Sequence, residues 1–363
     1  MAEHRPDAAP EPESSGGSAA LGALPAVSYV MPVLNEADHI EAAVASLVAQ
    51  DYRGPFDIML ALGPSTDGTD ELVARLSRAD SRVRSVVNEL GTTPEGLNIA
   101  IRATANPVVV RVDAHSALPT DYTRIAVDTL VRTGAANVGG VMAAEGVTPF
   151  EKAVALAYGS RVGLGGTPHH VGGEEGPAET VYLGVFRRDR LEAAGLFDEN
   201  IRRGQDWELN RRLRASGDLV WFNPALHVTY RPRSSYRKLA RQFLSTGLWR
   251  GELARRFPSS NGLRYFVPPV MVLGVVVGLL LGIAGLIEAA AGQGATWLLL
   301  GFLIPGFYVA FVLLATVLVA GRSGLPTALW FLLVLPCIHF CWGIGFFFGV
   351  AKLTRNIQAY TGR

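Results

Sequence analysis

From Ala26 onward the chain alternates short apolar runs with segments of helical spacing. "VSYVMPV" leads into "EADHIEAAVASLVAQ", "FDIMLAL" leads into "DGTDELVARLSRA", and "VRSVV" follows. Strands that alternate with helices build βαβ units and a mostly parallel sheet, and ligands bind beyond the carboxyl ends of such strands. Val108, Val109, Val110 and Val112, bounded by Pro107 and Pro119, read as a strand buried on both faces. That strand runs into Asp113 and His115 at the rim where chemistry is expected. Further on, "DYTRIAVDTLVRTG" reads as a helix and "AANVGGVMAA" as a strand. Gly163 to Gly176 reads as a glycine-rich loop carrying His169 and His170, whose commoner role in such loops is a solvated one. "GQDWELNRRLRASG" reads as a helix that opens near Asp206 and closes at Gly217.

The pattern then changes twice. Ser235 to Phe257 sets Tyr236, Leu239, Phe243, Leu248, Trp249 and Leu253 among lysines and arginines, as in a helix lying on a cytoplasmic membrane surface. A helix that closes the domain is a compatible reading. Tyr265 to Ile287, Ala289 to Gly321 and Ser323 to Ala351 contain no charged residue, and each exceeds the roughly 20 residues a spanning helix needs. Arg255, Arg256 and Arg264 precede the first of these and Arg322 follows the second, so the positive-inside rule puts both groups in the cytosol. Three full spans would leave Lys352, Arg355 and Arg363 outside, against that rule. Pro336 interrupts the third segment, and a re-entrant passage that returns the tail to the cytosol is the alternative. The chain thus divides into a disordered tail (1–25), an α/β domain (26–234), an amphipathic helix (235–264), a membrane region of about three spans (265–351) and a short tail (352–363).

Composition agrees with that division: of 363 residues only 18% are charged, and the mean hydropathy is +0.25. A net charge of +1 without a basic stripe gives no case for a nucleic-acid partner. Met1 to Leu24 has acidic residues and no apolar core, so it is not a signal peptide. Cys337 and Cys341 lie one helical turn apart and read as packing residues.

Asp113 and His115, two apart on an extended chain, project to the same side. A carboxylate with an imidazole suits Mn²⁺ somewhat better than Mg²⁺, and two ligands leave positions for a substrate diphosphate. A strand-end Asp that caps the next turn is the commoner reading of that pair alone. The turns that hold Asn35, Glu36, Ser65 and Asp67 precede helix N-termini able to meet an anion, although Asn35 and Asp67 are also good helix caps.

Five motifs, "MPVLNE", "GPSTDGT", "NELGTTPEGLNIAI", "VVRVDAHS" and "GLFDENIRRGQDWELNRRLRASG", occur in this order and at characteristic spacing. In them the chain resembles the nucleotide-sugar glycosyltransferases of family 2 with the GT-A fold, near the ExoA-like exopolysaccharide branch, over Val27 to about Phe257. The resemblance implies that Pro32, Asn35 and Glu36 belong to the nucleotide pocket, with Asn98 beside it. It makes Asp113 the first acid of the family's D-x-D element, contacting ribose or metal, and His115 the residue where a second acid often stands. The family's E-D element aligns with Gln205 and Asp206, so Asp206 is the implied general base, although Asp206 and Glu208 also complement the helix dipole. Leu62, Gly63 and Pro64 stand where many members have a base-reading Asp pair. Gln242, Trp249 and Arg250 form an altered version of the Gln-x-x-Arg-Trp element of processive synthases, which favours a single-sugar transferase. With Gln205 they are candidate acceptor or diphosphate contacts.

The implied activity is an inverting, Mn²⁺- or Mg²⁺-dependent transfer from a UDP- or GDP-sugar to a polyprenyl-linked saccharide. It would occur at the cytosolic face of the plasma membrane, in cell-envelope or exopolysaccharide assembly. Two alternatives stand beside it: a transferase that glycosylates a polyprenyl phosphate directly, and a non-catalytic membrane subunit of a polysaccharide assembly or export system.

Overall fold

The computed structural model describes residues 21–292 and 294–353. Most of the two expected tails, 1–20 and 354–363, therefore lies outside the described residues. The expected α/β architecture is present. The strands are β1 (Val27–Val33), β2 (Phe56–Leu62), β3 (Val83–Val87), β4 (Val108–Arg111), β5 (Asn137–Ala144), β6 (Gly176–Pro177), β7 (Tyr182–Arg187) and β8 (Val220–Tyr230). They form one sheet in the order β3-β2-β1-β4-β7-β5-β8-β6. β1 to β4 run parallel, β7 is antiparallel to both its neighbours, β8 is parallel to β5, and β6 is antiparallel to β8.

β1 is buried along its whole length, as a strand covered on both faces must be. Val27, Tyr29 and Met31 join Val108 and Val110 in one core, while Val30 and Val109 join Leu97, Ile101, Leu209 and Leu213 in the other. The β1–β4 pairing stops at Val30↔Arg111, closed by a 3.0 Å bond from the Val112 N–H to the Val30 carbonyl. Two residues further along β1, on the same edge, stands Pro32, which has no N–H to offer β4. The two strands part there and a cleft opens.

Three helical segments are long and apolar enough to cross a membrane: Leu263–Ala290, Thr296–Ser323 and Leu325–Val350. The last of them lies against the helix Tyr236–Arg256 at unusually short range. A methyl group on Gly247 would fall 2.0 Å from the Trp342 carbonyl oxygen, and one on Gly251 would fall 2.2 Å from that of Phe346. From the other side, a methyl on Gly345 would fall 2.2 Å from the Leu244 carbonyl oxygen, and one on Gly349 would fall 2.0 Å from that of Leu248. Two G-x-x-x-G pairs thus face each other, and the matched ascending numbers show that the helices run parallel. Only glycine permits such backbone contact. Around this crossing, Phe150, Val154 and Tyr158 of the α/β domain share a core with Leu239, Phe243, Phe331, Leu335 and Ile338.

Replacing Gly251 with Leu must therefore push the two helices apart. Overpacking of this kind costs about 1–3 kcal/mol, and a lowered melting temperature of the detergent-solubilised protein is the expected result. Gly306→Leu is the control, since a methyl there meets nothing within 4 Å. Equal melting of the two variants would refute the close crossing.

Candidate active site

Where β1 and β4 part, a cleft of about 410 Å³ opens toward the helix Gln205–Ala215 and the helix Tyr236–Arg256. Arg111 ends β4 on the same face as Val109, buried, with Asp113 two residues on. Its guanidinium donates to Asp113 at 3.0 Å and also to Asp206. Burial disfavours the charge on Arg111, but the two carboxylates outweigh it and raise its pKa. One buried cation thus joins the strand rim to the first turn of the following helix.

That turn carries two acids with different fates. Glu208 is buried and spent on Arg212 at 2.8 Å and Arg211 at 3.1 Å. Asp206 faces the cleft with 38% of its side chain exposed. Gln205 also lines the cleft.

The loops after β1 and β2 are laced together. Asn35, held at φ +54°, donates its N–H to the Ser65 hydroxyl at 3.0 Å and accepts the Thr66 N–H on its amide oxygen at 2.8 Å. The Glu36 N–H meets the Thr69 hydroxyl at 2.9 Å and the Ala37 N–H meets Asp67 at 3.0 Å. Asp67 is held below the usual carboxylate range, chiefly by the Thr69 hydroxyl and then by the Ala37 N–H. This lacing fixes the Glu36 backbone and sends its side chain toward His115, 3.3 Å from Nδ1. Glu36 and His115 thus meet, and Asp113 lines the cleft with His115, but the chain from Asp113 is not extended as expected: it turns, with the Ser116 N–H on the Asp113 carbonyl at 2.9 Å.

Several predicted residues act from behind the cleft instead of lining it. Pro32 ends the β1–β4 pairing. Asn98 is buried, and its amide donates to the Phe197 carbonyl at 2.8 Å and to Glu199 at 2.8 Å while accepting the Phe197 N–H at 3.0 Å. It pins the loop that leads into the Asp206 helix. Trp249 packs with Ile201, Trp207 and Leu253.

Gln242 and Arg250 do line the cleft. Arg250 stacks on Tyr265 at 3.9 Å and on Trp207 at 5.0 Å. Burial lowers its pKa, and its Nη1 is buried without a hydrogen-bond partner among the described residues. Arg202, Arg203 and Arg233 line the same side. His169 and His170, expected in a solvated loop, instead sit in the cleft with ring centroids 4.3 Å apart. Burial, followed by the charge on Arg264, pushes His170 down to about 4. Burial and then His170 push His169 well below its ordinary value, so both rings are neutral at pH 7.

The cleft thus opposes a carboxylate edge, suited to a metal and a general base, to a basic arc suited to an anion. Arg111 and Arg233 were missed in the sequence. The available signal for Arg111 was period two, which sets it on the same side as Asp113.

Among protein families, the glycosyl transferase family 2 model matches residues 28–193. Succinoglycan biosynthesis protein ExoA of Rhizobium meliloti (strain 1021) is 31% identical over 282 residues, 75% of this chain and 85% of its own. A dolichyl N-acetyl-alpha-D-glucosaminyl phosphate 3-beta-D-2,3-diacetamido-2,3-dideoxy-beta-D-glucuronosyltransferase of Methanococcus voltae is 25% identical over 239 residues, 63% of this chain and 74% of its own. Among solved structures, mannosyltransferase PcManGT from Pyrobaculum calidifontis, in complex with GDP-Man and Mn²⁺, superposes with a TM-score of 0.55 at 19% identity, covering 86% of each chain.

If Arg111 holds both carboxylates, Arg111→Met and Asp206→Asn must not act independently. Each lowers stability, and the double variant is expected to lose less than the sum by about 0.5–3 kcal/mol, the range for groups in direct contact. Denaturation of the four proteins measures this, and additive losses would contradict the shared cation.

Proposed function

Because the chain belongs to glycosyltransferase family 2, we propose that it is a membrane-attached, inverting, metal-dependent transferase. It takes a sugar from a UDP- or GDP-linked donor and attaches it to a polyprenyl-linked saccharide in exopolysaccharide or cell-envelope assembly. The observation that carries this reading is the cleft itself: Asp113 and Asp206 on one buried arginine, opposite a basic arc beside the apolar helices. Support comes from relatives: one is named for succinoglycan biosynthesis, one for a dolichyl-phosphate-linked sugar acceptor, and PcManGT was solved with GDP-Man and Mn²⁺.

Asp206, at the mouth of the cleft, takes the proton from the acceptor hydroxyl, and Arg111 holds the direction of its carboxylate. No cluster of three or more metal-ligating side chains occurs among the described residues. Asp113 and His115 still suit an ion shared with a diphosphate, since they leave the same rim two residues apart. The Glu36 contact to Nδ1 would leave ligation to Nε2 of His115. When bound, a divalent ion neutralises charge on the leaving diphosphate. Gln205, next to Asp206, and Gln242, on the basic side, line the space for the acceptor sugar. If the acceptor is a lipid phosphate, no base is required.

The expected signature is a turnover 10² to 10⁴ lower in Asp206→Asn, the usual weight of a general base, with donor affinity unchanged. Asp113→Ala should abolish transfer, and His115→Ala should weaken the Mn²⁺ dependence. Full activity in excess EDTA would sink the metal; full activity of Asp206→Asn would point to a phosphate acceptor.

We further infer that the catalytic domain is cytosolic and that Leu325–Val350 does not cross the bilayer, although its length suffices. Its buried face is lined by the helix Tyr236–Arg256, which carries Arg237, Lys238, Arg241, Arg255 and Arg256. A crossing would draw those charges into hydrocarbon at about 2.5–3.5 kcal/mol each near the centre. Two crossings return the chain to the cytosol at Arg322, and Lys352 then stays on the same side as Arg264. A cysteine at position 352, with Cys337 and Cys341 replaced by Ala, should resist an impermeant maleimide in intact cells and react in inverted vesicles. Labelling from outside would restore three spans.

A further inference from the structure

A second cavity, of about 780 Å³, adjoins the cleft through Leu164 and Trp342, which line both. Its walls are apolar, with Met271 and Val275 from the first membrane helix and Ile304, Phe307 and Phe311 from the second. Two of its polar groups are satisfied internally: His339 donates from Nε2 to the Val162 carbonyl at 2.8 Å, and Tyr308 sits 3.2 Å from Nδ1.

The charged groups in its lining are Arg161 and Arg264. Arg264 stacks on Tyr265 at 4.7 Å, and Arg250 stacks on the same ring at 3.9 Å. Both guanidiniums thus lie on Tyr265, Arg264 lining the apolar cavity and Arg250 the cleft. Arg264 pairs with Glu179, yet its Nε and Nη1 of Arg250 are buried without hydrogen-bond partners among the described residues. Buried donors without acceptors are costly, and an anion at this junction would satisfy them.

We propose that the cavity holds the isoprenoid chain of a polyprenyl phosphate or diphosphate, with the phosphate between Arg264 and Arg250. The attached saccharide then enters the cleft toward Asp206. An apolar space of this volume with cations in its lining, adjoining a polar cleft, fits a tail, a phosphate and a sugar in direct sequence. A glycerophospholipid would interpose two ester-linked chains and glycerol before its phosphate. This assignment rests on the lipid-linked acceptor of the proposed function.

The test uses the full-length protein in detergent, with undecaprenyl phosphate titrated by native mass spectrometry and UDP- and GDP-sugar binding measured in parallel. A methyl on Gly274 would lie 3.5 Å from Ile304, so Gly274→Phe is accommodated at Cβ while its ring fills the cavity. Met271→Trp fills the same space by another route. Both fillers and Arg264→Gln should weaken undecaprenyl phosphate at least tenfold and leave nucleotide-sugar binding unchanged. Undiminished lipid binding in both fillers overturns the assignment. So does equal competition by phosphatidylglycerol, which would make the cavity a site for bulk lipid, or by inorganic phosphate, which would reduce it to an anion site. A protein that binds undecaprenyl phosphate but no nucleotide sugar would refute the donor reading and leave the lipid assignment standing.

Discussion

The contact of four glycines, Gly247 and Gly251 against Gly345 and Gly349, sets how the apolar helices meet the cleft. Because the two helices touch backbone to backbone, the helix that contributes Gln242 and Arg250 to the cleft is fixed against an apolar helix, not tethered near it. The same apolar helix presents Trp342 to the cleft and His339 to the second cavity. The cleft and the apolar region are therefore parts of one packed body, and the distance between them is not adjustable by a linker.

A second constraint works at the other end of the cleft. Arg111 is buried and would be costly as an isolated charge, so its two carboxylates have a structural role. Strand β4 supplies Arg111 and Asp113 by alternation, and the helix after Gly204 brings in Asp206. The Asn98 amide, clamped on Phe197, holds the approach to that helix. These contacts explain why residues that never face the cleft still decide its shape.

Much of this was legible in the sequence, and the gaps have physical reasons. β1 to β5 and three of the four helices between them follow from periodicity, while the helix Thr93–Arg102 was quoted only as part of a motif. β8 was not recognised, since Pro224 breaks a run that otherwise alternates, and the strand is irregular where it meets β5. Helical spacing already pairs Glu208 with Arg211 and Arg212 at i+3 and i+4; only the fold brings Asp206 to Arg111. The G-x-x-x-G spacings are visible in the chain, but which helix meets which is a fact of three dimensions. His169 and His170 resemble solvated loop residues until Tyr158 and the basic arc close around them.

The helix pairing also has a consequence for biosynthesis. Tyr236–Arg256 leaves the ribosome long before Leu325–Val350, its partner, has been made. During that interval Phe150, Val154, Leu239 and Phe243 lack the surface that later covers them. The α/β domain can form its sheet early, yet this surface must wait until the last of three apolar helices has been made and has docked. Completion of the domain is thus coupled to the arrival of the apolar helices, and a nascent chain that stalls before them would leave a sticky, chaperone-binding face uncovered.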